Sequence, residues 1–253
     1  MRIVRYQEKS EAPKYGWLLD DKVGEINGDL FGKYRRQDAK TPRADVKLVA
    51  PCEPSKVVCV GRNYVDHAKE LGNQVPKIPL IFLKPPSSII SGGETILLPP
   101  QSAQVEHEAE LVAVIGKRGR HIPAEQAKKY VLGYTVGNDV TARDLQKSDD
   151  QWTRAKGFDT FCVFGPWIDT DFDPSDAVMT CRVNGQMRQM ASTRDMVFTV
   201  GTLIAFISSV MTLEPGDIVF TGTPAGVGAL RNGDMVEVEI DGLGSLSNPV
   251  RAE

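Results

Sequence analysis

Hydrophobic residues along this chain fall mostly in short runs that are rich in β-branched side chains and end at Gly, Pro or Asn-Gly. Such runs predict β-strands. The clearest are KVVCVG (56–61), LIFLKP (80–85), VAVIG (112–116), GDIVFTG (216–222) and MVEVEI (235–240). Helical patterns are fewer and predict short helices near 64–71, 123–131, 141–151 and 195–211. Because strands do not alternate regularly with helices, we predict an α+β, mainly β fold with short peripheral helices rather than a doubly wound parallel sheet.

Turn and cap residues give the pattern more detail. Asn63 is a candidate N-cap and Gly72 a candidate C′ residue for the first helix, and Thr141 is a candidate cap for the third. Asn-Gly pairs at 184–185 and 232–233 predict hairpin turns. The 18 residues from 196 to 213 carry no charge, but they include five Ser and Thr residues, so we predict a mostly buried helix and not a membrane span.

The first 50 residues differ from the rest and predict a small N-terminal β domain. Short strand-like runs, RIVRY, YGWLL and KVGEI, are broken by Gly and charged pairs. The following stretch, TPRADVKLVAPCEPSK, holds three prolines and is typical of a linker. We therefore expect a second, larger domain to begin at about residue 56.

Composition excludes several classes of partner. The chain has 253 residues, of which 41% are hydrophobic and 25% charged, as in a globular protein. A net charge of −3 argues against binding to nucleic acid or to an anionic membrane surface.

The four cysteines form no CxxC pair, and the first residues do not have the pattern of a signal peptide. These features predict free thiols and a cytoplasmic protein.

The stretch EHEAEL (106–111) places acids where a buried strand begins. In one continuous strand, Glu106, Glu108 and Glu110 would share a face with Val112 and Val114. One interpretation is an exposed strand end with the acids in water. The other is a divalent cation site, because clustered buried carboxylates stay ionised only beside a positive charge. The second interpretation needs a further oxygen ligand elsewhere in the chain.

Other segments of the chain offer a further acid and candidate catalytic side chains. Asp139 ends the strand-like run YVLGYTVGND, and Arg143 and Gln146 follow it three residues apart, on one face of the predicted helix. His67 and Glu70 are also three apart, which is the arrangement of a general base aligned by a carboxylate. The segment FTGTPAGVG lacks the GK[ST] of a phosphate-binding loop, so we exclude a nucleotide site there.

Taken together and in this order, eight segments resemble the fumarylacetoacetate hydrolase family. They are VGRNYVDHAKE, PLIFLKPPSS, VEHEAELVAVIGK, GYTVGNDVTARDLQ, WTRAKGFDTF, VNGQMRQ, TLEPGDIVFTGTPAGVG and NGDMVEVEIDGLGSLSNPV. The resemblance covers residues 56–253 and implies a catalytic domain of the β-sandwich roll type, and a homodimer. The match is closest to the acylpyruvate hydrolase, oxaloacetate decarboxylase and 2-hydroxyhepta-2,4-diene-1,7-dioate isomerase branch.

The resemblance also implies the roles of individual residues. Glu108, Glu110 and Asp139 would bind one Mg²⁺, with Mn²⁺ or Ca²⁺ as alternatives, whereas Glu106 is not a family ligand. The implied catalytic residues are His67, Glu70 and Lys156. The implied substrate-binding residues are Arg62, Arg143, Gln146 and Thr223, and Lys84 also matches a position near the pocket.

Three functions are compatible with such a site. The leading one is hydrolysis of a carbon–carbon bond in an acylpyruvate or another 1,3-diketo acid. The second is isomerisation or decarboxylation of a small 2-oxo acid, such as a 2-hydroxyhepta-2,4-diene-1,7-dioate or oxaloacetate. The third is a binding module without catalysis, against which the retained His67 and Glu70 argue. Fold and metal alone do not choose between the first two.

Overall fold

The computed structural model describes residues 1–9 and 11–253, and in these residues strands dominate over helices. The strands are β1 (Arg2–Gln7), β2 (Lys14–Leu19), β3 (Lys22–Gly28), β4 (Tyr34–Arg36), β5 (Thr41–Pro42), β6 (Lys47–Val49), β7 (Val57–Gly61), β8 (Leu80–Lys84), β9 (Ile89–Ile90), β10 (Ile96–Leu98), β11 (Val105–His107), β12 (Ala109–Ile115), β13 (Val131–Asp139), β14 (Thr141–Ala142), β15 (Cys162–Asp169), β16 (Val178–Val183), β17 (Gln186–Ser192), β18 (Ile218–Phe220), β19 (Gly228–Ala229), β20 (Met235–Ile240) and β21 (Gly244–Ala252). The helices are α1 (Val65–Glu70), α2 (Arg143–Ser148), α3 (Thr153–Lys156) and α4 (Val200–Val210), with 3₁₀ stretches at Arg43–Asp45, Pro86–Ser88, Ala124–Lys129 and Thr193–Asp195. The predicted α+β, mainly β fold is therefore confirmed.

Three sheets organise the chain. The largest has the strand order β4-β3-β2-β1-β15-β13-β12-β18-β7-β8, with β5, β6 and β9 paired beside it. The second has the order β10-β21-β20-β16-β17, and the third the order β14-β11-β19. The first 50 residues form β strands, as predicted, and β1 joins the large sheet by pairing Arg2 with Asp169 and Ile3 with Ile168 of β15. The N-terminal strands thus extend the sheet that carries the site.

Strand β12 lies at the centre of the molecule and is buried on both faces. Leu111, Ala113 and Ile115 lie in a hydrophobic cluster with the inward residues of the five-stranded sheet and of α4. Val112 and Val114 lie in a second cluster, which includes residues from the N-terminal strands. The period-2 alternation of a strand distributes these side chains between the two clusters. The large sheet is therefore covered on both faces, which makes the architecture a layered sandwich.

The acids of EHEAEL do not lie on one continuous strand. Glu106 belongs to β11, which pairs with β14 and β19, whereas Glu110 belongs to β12 in the large sheet. The chain passes from one sheet to the other at Glu108. The expectation that 106, 108 and 110 simply share one strand face is therefore wrong. Nor is this an exposed strand end, because all three acids are buried.

Two predicted caps and one predicted hairpin are also wrong. Helix α1 begins after Tyr64, while the Asn63 side chain donates to the Thr221 and Phe198 carbonyl oxygens at 2.7 and 3.0 Å. The Thr141 hydroxyl donates to the Asp139 carbonyl oxygen. Asn63 therefore forms tertiary hydrogen bonds instead of capping α1, and Thr141 forms a local hydrogen bond instead of capping α2. The 232–233 turn does not connect paired strands, since β20 pairs with β21 and β16.

The remaining element predictions are mostly confirmed. The Asn184-Gly185 turn joins β16 to β17 in a hairpin, and Gly72 follows α1 with φ of +69°. The segment 123–131 forms 3₁₀ instead of α-helix, and α3 was not predicted. Helix α4 is mostly buried, as expected for the uncharged stretch 196–213. Across residues 1–9 and 11–253, no helix is long and apolar enough to cross a membrane.

Candidate functional site

Three carboxylates meet where the ends of two paired strands lie side by side. Glu108 and Glu110 flank the start of β12, and Asp139 ends β13, which pairs with β12 through Glu110 and Gly137. The Asp139 N–H donates to the Glu108 carbonyl oxygen at 2.9 Å and holds this register. One carboxylate oxygen of each acid lies within 4.8 Å of the others. The predicted metal ligands are thus brought together by strand pairing, and they are buried.

Buried lysines contact two of these acids. Lys156 ends α3, and its Nζ lies 2.8 Å from Glu108 Oε2 and 2.7 Å from Asp139 Oδ2. Lys84 ends β8 and donates to Asp139 Oδ1 and, at 3.1 Å, to the Val140 carbonyl oxygen. Burial lowers the pKa of Lys156, but Asp139 and Glu108 outweigh this and raise it. Lys156 is therefore charged at neutral pH.

Arg143, in the first turn of α2, contacts Glu108 and a further buried acid outside the triad, Glu106. Its Nε donates to Glu106 Oε2 at 2.7 Å, its Nη2 to Glu108 Oε1, and its Nη1 to Gln146 Oε1. Glu106 is only 6% exposed, and its hydrogen bond to Nε helps to fix the orientation of the guanidinium. Sequence analysis left Glu106 without a role, although its place in the acidic run EHEAEL was the available signal.

Among the residues that the structure describes, no cationic side chain forms an ion pair with Glu110. Four buried acids, Glu106, Glu108, Glu110 and Asp139, face three buried cations, Lys84, Arg143 and Lys156. Glu110 Oε2 accepts a hydrogen bond from the Gly222 N–H at 2.6 Å. Burial, together with Asp139 and Glu108, holds the pKa of Glu110 well above its usual range. The pKa of Glu108, by contrast, is held well below its usual range, because Lys156 and Arg143 outweigh its burial.

This charge pattern fits a divalent cation. One negative charge of the cluster is unbalanced, and carboxylate oxygens are the ligands that Mg²⁺, Mn²⁺ and Ca²⁺ prefer. A cation between the three acids would oppose the repulsion that raises the pKa of Glu110. Glu108, Glu110 and Asp139 would hold it.

A cavity of about 420 Å³ opens above the acids. Residues predicted to act on substrate line it: Arg62, His67, Arg143, Gln146, Lys156 and Thr223, together with Glu108. Apolar walls come from Val60, Leu71, Phe82 and Trp152. Of the three acids, only Glu108 lines the cavity, while Glu110 and Asp139 each have a carboxylate oxygen within 4.8 Å of one of Glu108. The structure thus surrounds one small cavity with the predicted substrate-binding residues.

His67 and Glu70 form the predicted dyad on α1. His67 Nδ1 lies 3.1 Å from Glu70 Oε2, and His67 is buried against the cavity. The other oxygen of Glu70 accepts from the Gly226 N–H at 2.9 Å. Because Glu70 engages Nδ1, the second ring nitrogen, Nε2, is the one left to exchange a proton with a ligand.

Arg62 presents a guanidinium to the cavity without an ion pair among the described residues. Its φ of +58° is in the left-handed region, and its guanidinium lies 6.0 Å from the Trp152 ring centroid. A free cation at the wall of a polar cavity is suited to an anionic group on a ligand.

Two buried amides to which sequence analysis gave no role in the site connect its loops. Asn63 joins the start of α1 to the strand end at Thr221. Gln189 of β17 contacts Ala109, which lies between Glu108 and Glu110, and Thr223, in the cavity wall. Neither residue type carries an obvious signal in a single sequence, because buried amides are recognised only by their partners.

The chain is similar to known proteins over its whole length. Residues 56–251 match the family model described as fumarylacetoacetate (FAA) hydrolase C-terminal, and residues 1–51 match one described as Rv2993c-like, N-terminal. The mitochondrial oxaloacetate tautomerase fahd2 of Xenopus laevis is 41% identical over 287 residues, covering 99% of this chain and 90% of that protein.

Two solved structures have the same fold. The 2-hydroxyhepta-2,4-diene-1,7-dioate isomerase of Mycobacterium marinum is 45% identical with a TM-score of 0.91, covering 100% of this chain and 99% of that one. The maleylpyruvate hydrolase of Sphingobium sp. SYK-6, in complex with manganese(II) and pyruvate, is 32% identical with a TM-score of 0.82 and covers the same shares. Relatives with this architecture thus include isomerases, tautomerases and hydrolases.

Proposed function

The chain belongs to the fumarylacetoacetate hydrolase family, a family of enzymes, and we propose that it catalyses keto–enol isomerisation of a small 2-oxo acid with a second carboxylate, dependent on a divalent cation. The observation that carries the proposal is the juxtaposition of the buried triad of Glu108, Glu110 and Asp139 with a cavity that presents both the His67–Glu70 dyad and the free guanidinium of Arg62. The names of the relatives above 40% identity, a tautomerase and an isomerase, favour this reaction.

Each part of a 2-oxo diacid has a counterpart in the cavity. When bound, a divalent cation supplies Lewis acidity that favours the enolate form of a 2-oxo acid. Lys156 and Arg143 are donors for the oxygens at the reacting end, and Gln146 keeps Arg143 in place. Arg62 binds the distal carboxylate. A cavity of about 420 Å³ is suited to a substrate of this size.

His67 moves the proton. Conversion of enol to keto form removes a proton from the enol oxygen and adds one to the adjacent carbon. We assign His67 Nε2 to the transfer at carbon, with Glu70 holding Nδ1 and orienting the ring. Phe82 and Trp152 in the cavity wall limit access of water to this proton.

Hydrolysis of an acylpyruvate is the second candidate and is favoured by the maleylpyruvate hydrolase structure with manganese and pyruvate. There His67 would instead deprotonate a water that attacks the distal carbonyl. This reaction was the leading hypothesis from the sequence, and it uses the same residues. Decarboxylation of oxaloacetate would need enolate stabilisation but no base.

A panel of reactions on one preparation tests the proposal. We expect the enzyme to accelerate ketonisation of oxaloacetate with Mg²⁺ and to lose this activity with chelator, and Glu110→Gln to be inactive in both conditions. Hydrolysis of acetylpyruvate, followed as pyruvate release, should be slower. Rapid metal-dependent hydrolysis without tautomerase activity would instead establish the second candidate.

The distal-carboxylate assignment has its own test. Arg62→Ala should raise KM for oxaloacetate while leaving binding of pyruvate, which has no second carboxylate, nearly unchanged. An equal effect on both ligands would remove Arg62 from distal recognition.

The homodimer and the cytoplasmic location remain predictions. Light scattering of the purified chain tests the homodimer.

Comparing Mg²⁺, Mn²⁺ and Ca²⁺ in the oxaloacetate ketonisation assay tests which cation supports activity.

A further inference from the structure

Gln189 ends the segment VNGQMRQ, and sequence analysis gave it no chemical role. It lies on β17 and is 1% exposed. Its Oε1 accepts from the Ala109 N–H and from His107 Nδ1, both at 3.0 Å. Its Nε2 donates to Thr223 Oγ1 at 2.7 Å and to the Pro224 carbonyl oxygen at 2.8 Å. The oxygen and the nitrogen of the Gln189 amide therefore each have two hydrogen-bond partners.

These partners determine which way the amide points. The Ala109 N–H can only donate, so the atom facing it must be the oxygen. The Pro224 carbonyl can only accept, so the atom facing it must be the nitrogen. The same nitrogen faces Thr223 Oγ1, which must therefore accept its hydrogen bond from Gln189.

This orientation of the Gln189 amide determines where the Thr223 hydroxyl can donate its hydrogen. A hydroxyl has one hydrogen to donate. If a neighbouring side chain accepted that hydrogen, the Thr223 hydroxyl could not donate it to a ligand. Gln189 presents a donor and not an acceptor to Thr223, and within residues 1–9 and 11–253 no side chain accepts the Thr223 hydroxyl hydrogen. Thr223 is 2% exposed and lines the cavity, so its O–H is left for an oxygen of the bound ligand.

We propose that Gln189 is a positioning residue that fixes the Thr223 hydroxyl as a hydrogen-bond donor toward a substrate carboxylate. The inference rests on the proposed function, since it assigns a 2-oxo acid to the same cavity. Gln189 touches no ligand and acts through Thr223. Through Ala109 it also connects this donor to the strand segment between Glu108 and Glu110.

Calorimetric binding of oxalate, a non-reacting analogue with the 2-oxo acid's chelating oxygens, tests the inference with Mg²⁺ at saturation. Gln189→Glu keeps the size and the oxygen that faces Ala109 and His107, but at alkaline pH it offers Thr223 an acceptor. The hydroxyl then turns away from the ligand. We expect about tenfold weaker oxalate binding, which is the effect of one lost hydrogen bond, with the Mg²⁺ dissociation constant unchanged.

Double-mutant comparison distinguishes positioning from general structural support. Thr223→Val should weaken oxalate binding to the same extent, and Gln189→Glu combined with Thr223→Val should be no weaker than Thr223→Val alone. Gln186→Glu, on the same strand and exposed, is the control for added charge and should behave as wild type. Additive losses, or wild-type oxalate binding in Gln189→Glu, would overturn the inference.

Neutron diffraction of deuterium-exchanged wild-type crystals with Mg²⁺ and oxalate gives an answer even if Gln189→Glu does not fold. The inference expects the Thr223 deuterium on the line to an oxalate oxygen and a Gln189 amide deuterium on the line to Thr223 Oγ1. A Thr223 deuterium directed at Gln189 would contradict it. If wild type binds no oxalate at all, the proposed function fails and this inference fails with it.

Discussion

The backbone N–H of Gly222 donates a 2.6 Å hydrogen bond to Glu110 Oε2, and no cationic side chain of the described residues forms an ion pair with Glu110. Its neighbours Glu108 and Asp139 are each held by at least one buried lysine. Glu110 is therefore the acid whose ionisation depends most on a bound cation.

Metal binding should release a proton from Glu110. The pKa of Glu110 is raised by burial and by the two neighbouring acids, so without metal the carboxyl is protonated up to that raised value. A cation must displace this proton, and Mg²⁺ affinity should fall about tenfold per pH unit as pH drops below the raised pKa. Calorimetry in buffers of different ionisation enthalpy measures the proton count. A count of zero would mean that Glu110 is ionised without the metal.

The metal-free protein should respond differently to loss of Glu108 and of Glu110. Glu108→Ala removes one acid from both Lys156 and Arg143, which keep only Asp139 and Glu106, so one positive charge of the buried cluster is left without an acid to offset it. We expect a loss of about 3–5 kcal/mol in the free energy of unfolding. At a pH below the raised pKa of Glu110, Glu110→Gln replaces a protonated carboxyl with a neutral amide, and the free energy of unfolding should change little. Urea unfolding with chelator measures both. Equal destabilisation would contradict the charge pairing described here.

Much of the site could be predicted because the segments that resemble the fumarylacetoacetate hydrolase family carry its residues. Strand pairing brings Glu110 and Asp139 together, as that resemblance implied, whereas the residue pattern alone left the role of the acids open. What was missed depends on contacts between distant segments. Asn63 bonds to Thr221 instead of capping α1, and Glu106 lies on a separate strand from Glu110, where it aligns Arg143. The pairing of β1 with β15 is equally invisible to local pattern, because sheet partners are chosen by tertiary packing.

Loss of the His67 imidazole should lower kcat to different extents for the three candidate reactions. Ketonisation of oxaloacetate and hydrolysis of acetylpyruvate both need a proton transfer, so His67→Ala should cost each about 10²–10⁴ in kcat. Decarboxylation of oxaloacetate needs no base and should be affected far less. Glu70→Gln should follow the same order more weakly, since Glu70 only aligns the ring. Equal loss of all three activities would indicate that His67 serves binding instead of proton transfer.

Helix α1 and the residues after it should become protected when ligand binds. The segment from 64 to 77 contains one short helix followed by residues without regular structure, and the Glu70–Gly226 hydrogen bond ties it to the loop of Thr223. Oxalate with Mg²⁺ should slow amide hydrogen exchange in this segment. Exchange in the buried strand β12 should be slow throughout, which makes it the control. Slow exchange of 64–77 without ligand, unchanged by oxalate, would exclude movement of this segment.

The measurement that tests the account most directly is anomalous diffraction from crystals grown with Mn²⁺ and oxalate. The account predicts one Mn²⁺ bound by Glu108, Glu110 and Asp139, with oxalate completing its coordination in the cavity beside Lys156 and Thr223. It also predicts that Glu110→Gln crystals lose the anomalous peak while the fold is retained. Manganese bound elsewhere, or oxalate in the cavity without metal at the three carboxylates, would contradict the central claim.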